Sequence, residues 1–131
     1  MDKFKVSVKL PCKAKDVFTG WLDSATHSVF TGGEKAEISK NEGGSFTAWN
    51  GYISGHNIEL FPYKKIIQAW RTSDFTAQDP DSQIEITFSQ KEDHTLVSIN
   101  HSHLPDGTAE TYKKGWKSFY FSHMKKYFET K

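Results

Sequence analysis

Cysteine is almost absent: Cys12 stands alone among 131 residues, which excludes an internal disulfide and removes any need for an oxidising compartment. No apolar run approaches the ~20 residues of a membrane-spanning helix, and the N-terminal MDKFKVSVKL has no signal-peptide core. Excess charge of one sign is also missing. With 17 basic and 16 acidic side chains the chain carries +1, which excludes a nucleic-acid binder working by broad electrostatics and an acidic disordered tail. Repeats, linkers and low-complexity tracts are lacking, so the sequence reads as one domain over residues 1–131, off the membrane and cytoplasmic. No G-x-S-x-G elbow, P-loop, G-x-G-x-x-G or H-E-x-x-H is present, so no catalytic residue and no cofactor is implied.

What is abundant is aromatic. Ten Phe, five Tyr and four Trp make up 15% of the chain, so the interior is built from a few large rings rather than many aliphatics. Charge is also placed unevenly. Residues 108–131 hold 6 basic and 2 acidic side chains, a net of +4, leaving 11 basic and 14 acidic, a net of −3, in residues 1–107.

Lys3 to Lys9 alternates Phe4, Val6 and Val8 with charged or polar neighbours, the pattern of a half-buried strand. Beyond Pro11 the period changes: Ala14, Val17, Phe18, Trp21 and Leu22 form one stripe of a short helix. Asp23 and Ser24 can cap a second, which stops at Gly32-Gly33. Short strands follow over 36–39 and 45–49, and Asn50-Gly51 supplies the central pair of a type I′ hairpin. Strands are expected over 52–60, 65–72, 82–90 and 95–103, the last placing Val97, Ile99, His101 and His103 on one face.

The final segment is the longest helix. At about 100° per residue, Tyr112, Trp116, Phe119, Tyr120, His123 and Tyr127 share one arc, which Met124 and Phe128 extend. Phe121 falls opposite, between Lys117 and Lys125. The expected architecture is therefore α+β: a curved antiparallel sheet of about six strands wrapped around a long C-terminal helix, with two short helices after the first strand.

Few residues point to chemistry. Cys12 beside Pro11 reads as a packed thiol. His101-x-His103 on a strand would aim two rings one way, and His27 or His123 could add a third ligand, but no cysteine or second close histidine pair supports a metal. Histidine catalysis through His101 or His123 with a tyrosine lacks an orienting carboxylate on these faces.

The series Gly43-Gly44-Ser45-Phe46, Asn50-Gly51, Gly55, Glu59, Pro62, Lys65 to Arg71, Ser82 to Thr87, Leu104-Pro105 and Gly115-Trp116 resembles the family of homologues of the ATPase activator of the ninety-kilodalton heat-shock chaperone. The likeness runs from Val6 to Phe128 and is to that activator's C-terminal domain. It implies the START-like, helix-grip fold of the SRPBCC superfamily, which includes the birch-pollen allergen, with a cavity between sheet and helix and no catalytic apparatus.

Two roles are expected. The first is a non-enzymatic binding domain enclosing a small apolar or amphipathic ligand. Its sheet wall would be Phe46, Trp70, Ile86, Phe88, Ile99 and His101. Its helix wall would be Tyr112, Trp116, Phe119, Tyr120 and His123. The alternative is a co-chaperone-like interaction module that stimulates a chaperone ATPase through an exposed surface of Lys114, Lys117, Phe121 and Lys125.

Overall fold

A computed structural model describes Met1 to Lys131. The first alternating segment forms β1 (Asp2–Leu10), and the apolar stripe beyond Pro11 forms α1 (Ala14–Trp21). The Asp23 carboxylate accepts hydrogen bonds from the Thr26 N–H (3.0 Å) and hydroxyl (2.8 Å), capping α2 (Ser24–Phe30). Such a cap is worth about 1 kcal/mol. Those Thr26 bonds hold the Asp23 carboxyl below its usual range.

The β-rich middle comprises β2 (Glu37–Ile38), β3 (Ser45–Ala48), β4 (Ile53–Phe61), β5 (Lys65–Thr72), β6 (Ser82–Gln90) and β7 (Thr95–Leu104). All pairs are antiparallel, in the order β1-β7-β6-β5-β4-β3-β2. The sheet thus has seven strands rather than about six, β2 being a two-residue edge. Neighbours in sequence are neighbours in space, except that β1 closes against the last strand. Period two holds throughout β6, whose Ile84, Ile86 and Phe88 face the core.

The chain ends in one continuous helix of three parts: α3 (Ala109–Gly115), a π-helical turn (Trp116–Phe121) and α4 (Ser122–Glu129). Right-handed helical backbone runs through both junctions. It presents Trp116, Tyr120, Phe121, Met124 and Phe128 to the core.

The π turn changes which side chains face inward. Its i→i+5 bonding adds a residue to the turn, so Tyr120 and Phe121 are both buried, at 4% and 5% exposure, while Phe119 is 58% exposed. The expectation of Phe121 on a lysine-flanked outer surface is therefore corrected: Phe121 is core and Phe119 faces out. A second irregularity lies on β7. Asp2 pairs with Leu104 but Phe4 with His101, so β7 carries one extra residue there. His103 sits at φ 59° and is exposed, and the expected shared face of His101 and His103 does not form.

Candidate functional site

The β3–β4 turn brings a tryptophan to the helix. Gly51 N–H donates to the Ala48 carbonyl at 3.2 Å and Tyr52 N–H to the Trp49 carbonyl at 3.1 Å. The central residues of the first turn are thus Trp49 (φ 55°) and Asn50 (φ 57°), one position earlier than Asn50-Gly51. A left-handed bulky residue costs roughly 1–3 kcal/mol and persists only where its surroundings impose it. Asn50 imposes it here. Its N–H donates to the Lys35 carbonyl and its side-chain oxygen accepts from Lys35 N–H, both at 3.0 Å, and its amide nitrogen bonds the Glu34 carboxylate.

Held this way, Trp49 meets Phe119 edge to face at 5.8 Å and forms one lip of a cleft of about 250 Å³. Seven of its ten lining residues are aromatic: Trp49, Tyr52, Trp70, Tyr112, Trp116, Phe119 and Tyr120, with Ile53, Thr111 and Gly115 completing the wall. Trp70, Trp116 and Tyr120 are buried and make the floor, while Tyr52 and Phe119 stand exposed at the rim. Gly115 lies inside the helix, where glycine costs about 1 kcal/mol against alanine. A Cβ there would meet only the Phe119 ring edge, at 4.0 Å, so no close packing demands the glycine.

The tyrosine hydroxyls around these rings are already engaged. Tyr52 donates its hydroxyl to the Asp74 carboxylate at 2.6 Å, and Tyr112 shares a 2.8 Å hydrogen bond with the Thr72 hydroxyl. Tyr120 is 2.8 Å from His27 Nε2. Since His27 Nδ1 faces the Trp21 carbonyl at 2.8 Å, Nδ1 carries the proton and Tyr120 donates. Partial burial and the Asp74 bond push the Tyr52 phenol up to about 12, and burial raises Tyr120 as well.

Behind the floor, Trp116 Nε1 donates to His101 Nδ1 at 3.1 Å. The His101 proton therefore sits on Nε2 and is donated to the Ser82 hydroxyl at 2.9 Å, which donates to the Trp70 carbonyl at 2.6 Å. Both histidines are neutral: burial lowers His27 to about 4 and His101 to about 3. Neither has a free nitrogen with which to take a substrate proton.

Of the expected pocket residues, Trp70, Tyr112, Trp116, Phe119 and Tyr120 meet at the cleft. The rest do not. Phe46, Ile86, Phe88 and Ile99 are buried in filled core, Ile86 pairing with Ile99 and Phe88 packing 5.5 Å from Phe18. His101 lies behind Trp70 and Trp116. His123 leaves the inner face for the α2–β2 connection, so close that a Cβ on Gly32 would stand 2.8 Å from its Nε2. Lys114, Lys117 and Lys125 are exposed. Sequence reasoning passed over Tyr52, Ile53, Thr111 and Gly115, and the helix-interior glycine was the available signal. A wider depression of about 720 Å³ beside α1 has mixed-charge walls, including Lys13, Asp16, Asp23, Glu92 and Lys131, and only three of its fifteen lining residues are hydrophobic.

A curved antiparallel sheet around a C-terminal helix, with an aromatic cleft at one end, defines a helix-grip, START-like domain. Within that class, the family model described as Activator of Hsp90 ATPase homolog 1-like protein matches residues 11–129, and the chain belongs to this family. It is 30% identical over 114 residues, 86% of its length, to an activator of 90 kDa heat shock protein ATPase homolog from Dictyostelium discoideum. It is 28% identical over 93 residues, 71% of its length, to homolog 1 from Homo sapiens. The chain spans only 29% and 27% of those relatives' lengths. The crystal structure of an HSP90 activator from Plasmodium falciparum superposes with a TM-score of 0.82 at 27% identity, covering 92% of this chain and 91% of that one. No helix of the chain is long and apolar enough to cross a membrane.

Proposed function

We propose that the chain is a non-enzymatic binding domain that takes a small apolar or amphipathic molecule between the sheet and the C-terminal helix. The observation that carries this reading is the cleft, concave and walled by seven rings, the kind of surface that gains most from losing water. The engaged nitrogens of His27 and His101 favour binding over proton transfer. Native mass spectrometry of the protein from its own host, with titration of a fluorescent hydrophobe, tests it. A co-purifying mass or saturable binding is expected. The absence of both overturns the reading.

A second reading, docking on a ninety-kilodalton chaperone, is favoured by the family and by the Plasmodium falciparum HSP90 activator, 91% of which this chain covers. The exposed Lys114, Lys117 and Lys125 supply a basic surface for it. Such contacts are screened beyond about 8–10 Å at physiological salt, so the complex weakens as salt rises. Measuring the host chaperone's ATP turnover decides: no stimulation at saturating protein removes this reading. Lys114→Glu with Lys117→Glu should reduce stimulation and leave hydrophobe binding intact.

A further inference from the structure

We infer that the cleft selects a neutral, planar aromatic molecule of one or two fused rings, held chiefly by contact with ring faces and edges. The inference rests on the small-ligand reading and specifies it. Size is the first argument. An apolar cavity of about 150 Å³ accommodates benzene, and drug-sized ligands occupy about 300–1,000 Å³. At about 250 Å³ the cleft lies between these, large enough for a fused bicycle and too small for a sterol or a folded acyl chain.

Chemistry is the second argument. The Tyr52, Tyr112 and Tyr120 hydroxyls are bonded to Asp74, Thr72 and His27, and the Trp116 N–H to His101. The cleft therefore offers mainly ring faces and edges, with the Trp70 indole N–H and the Thr111 hydroxyl as its unengaged polar groups and no charged residue in its lining. Trp70 stands at 86° to Tyr112 and Trp49 at 72° to Phe119, whereas Trp116 and Tyr120 lie at 37°. This mixture of edges and faces suits another aromatic quadrupole. A buried anion would find no charged partner. A cation, which rings alone can attract, would approach a helix segment whose net charge is +4 from 6 basic and 2 acidic residues.

Construction is the third. Two locally unfavourable choices converge here: Trp49 held at positive φ on one lip, and Gly115 in mid-helix with open space above it. A leucine at Gly115 would fill that space.

The test is titration of the full chain with naphthalene, 2-naphthol, benzene, palmitate, cholesterol and tetramethylammonium, following the tryptophan indole N–H resonances. Naphthalene and 2-naphthol should both saturate with Kd values within about tenfold of each other, because the shared ring system supplies most of the affinity and one hydrogen bond adds only about 1 kcal/mol. Benzene should bind about tenfold more weakly. Gly115→Leu should weaken naphthalene by about tenfold or more, its fold checked by circular dichroism. Thr111→Trp, at the exposed rim one helical turn earlier, provides a second obstruction. Preferred binding of palmitate, cholesterol or tetramethylammonium overturns the ligand class while leaving a binding domain. Naphthalene binding unaffected by both obstructions overturns the location. If no probe saturates and nothing co-purifies from the host, the binding-domain reading itself falls.

Discussion

The two ends of the C-terminal helix are built from the same kind of residue and end differently. At the α4 end, Phe30 lies 5.6 Å from Tyr127 and 5.8 Å from Phe128, and Trp21 lies 4.4 Å from His27, with α1 and α2 closing over them. Met124 and Phe30 are fully buried. At the α3 end no helix residue is buried, and the cover is limited to the β3–β4 turn with its strained Trp49 and to Phe75 of the β5–β6 connection, 6.1 Å from Tyr112. Ring content therefore does not decide between core and cleft. Whether a second layer lies across the ring decides it, because apolar surface is stabilising only where something excludes the water.

The π turn is where the two ends part, and Phe119 and Phe121 test it most severely. Phe121→Ala removes a 5% exposed ring from the core and should cost about 3–5 kcal/mol. Phe119→Ala removes a 58% exposed ring and should stay within about 0.5–1 kcal/mol. Urea denaturation of both variants reads the difference. A uniform α-helix would reverse the order, so the larger loss at Phe119 would refute the register and the cleft with it.

Each end also conceals a neutral histidine, and acid should loosen both. In the unfolded chain each titrates near 6.5, whereas in the fold His27 does so at about 4 and His101 at about 3. As pH falls below 6.5 the unfolded state takes up protons first, so stability is full above 6.5 and declines with acidity until the folded histidines protonate. At about 1.4 kcal/mol per pH unit for each below 6.5, the pair should remove roughly 4 kcal/mol between pH 7 and pH 5. The usual carboxylate range lies below that window. His101→Gln should be less stable at pH 7 and lose about half of this dependence. An unchanged urea midpoint from pH 7 to pH 5 in the parent protein would show that these rings are not dry.

Most of the fold was legible because period two is robust. The strands Lys65–Thr72 and Ser82–Gln90 coincide with the alternation that marks them, and Asp23 caps the helix it precedes. The site was less legible, for reasons of single-residue register. Helical phase assumes a constant angle per residue, and one extra residue in the turn at Trp116–Phe121 exchanges the environments of Phe119 and Phe121. A strand face assumes unbroken pairing, and the irregularity opposite Asp2 and Phe4 turns His103 out. The hairpin moved one residue because Asn50 is bonded to Glu34 and Lys35, far away in sequence. None of these carries a compositional mark. Gly115 does, since nothing in a helix interior asks for glycine.

That glycine gives the smallest expected effect. Gly115 has ordinary right-handed backbone, φ −59° and ψ −47°, so no left-handed conformation explains it. A methyl group would sit in open space, with the Phe119 edge 4.0 Å away. Gly115→Ala should therefore raise stability by about 0.5–1 kcal/mol, partly through helix propensity and partly by restricting the unfolded chain. Thermal denaturation should show a midpoint a few degrees higher. A stabilised variant means that the helix forgoes stability at the uncovered end, where the wall stays recessed. A destabilised one means that the backbone needs glycine to pack, and the contrast between the two ends then reflects helix geometry rather than a space kept free for a ligand.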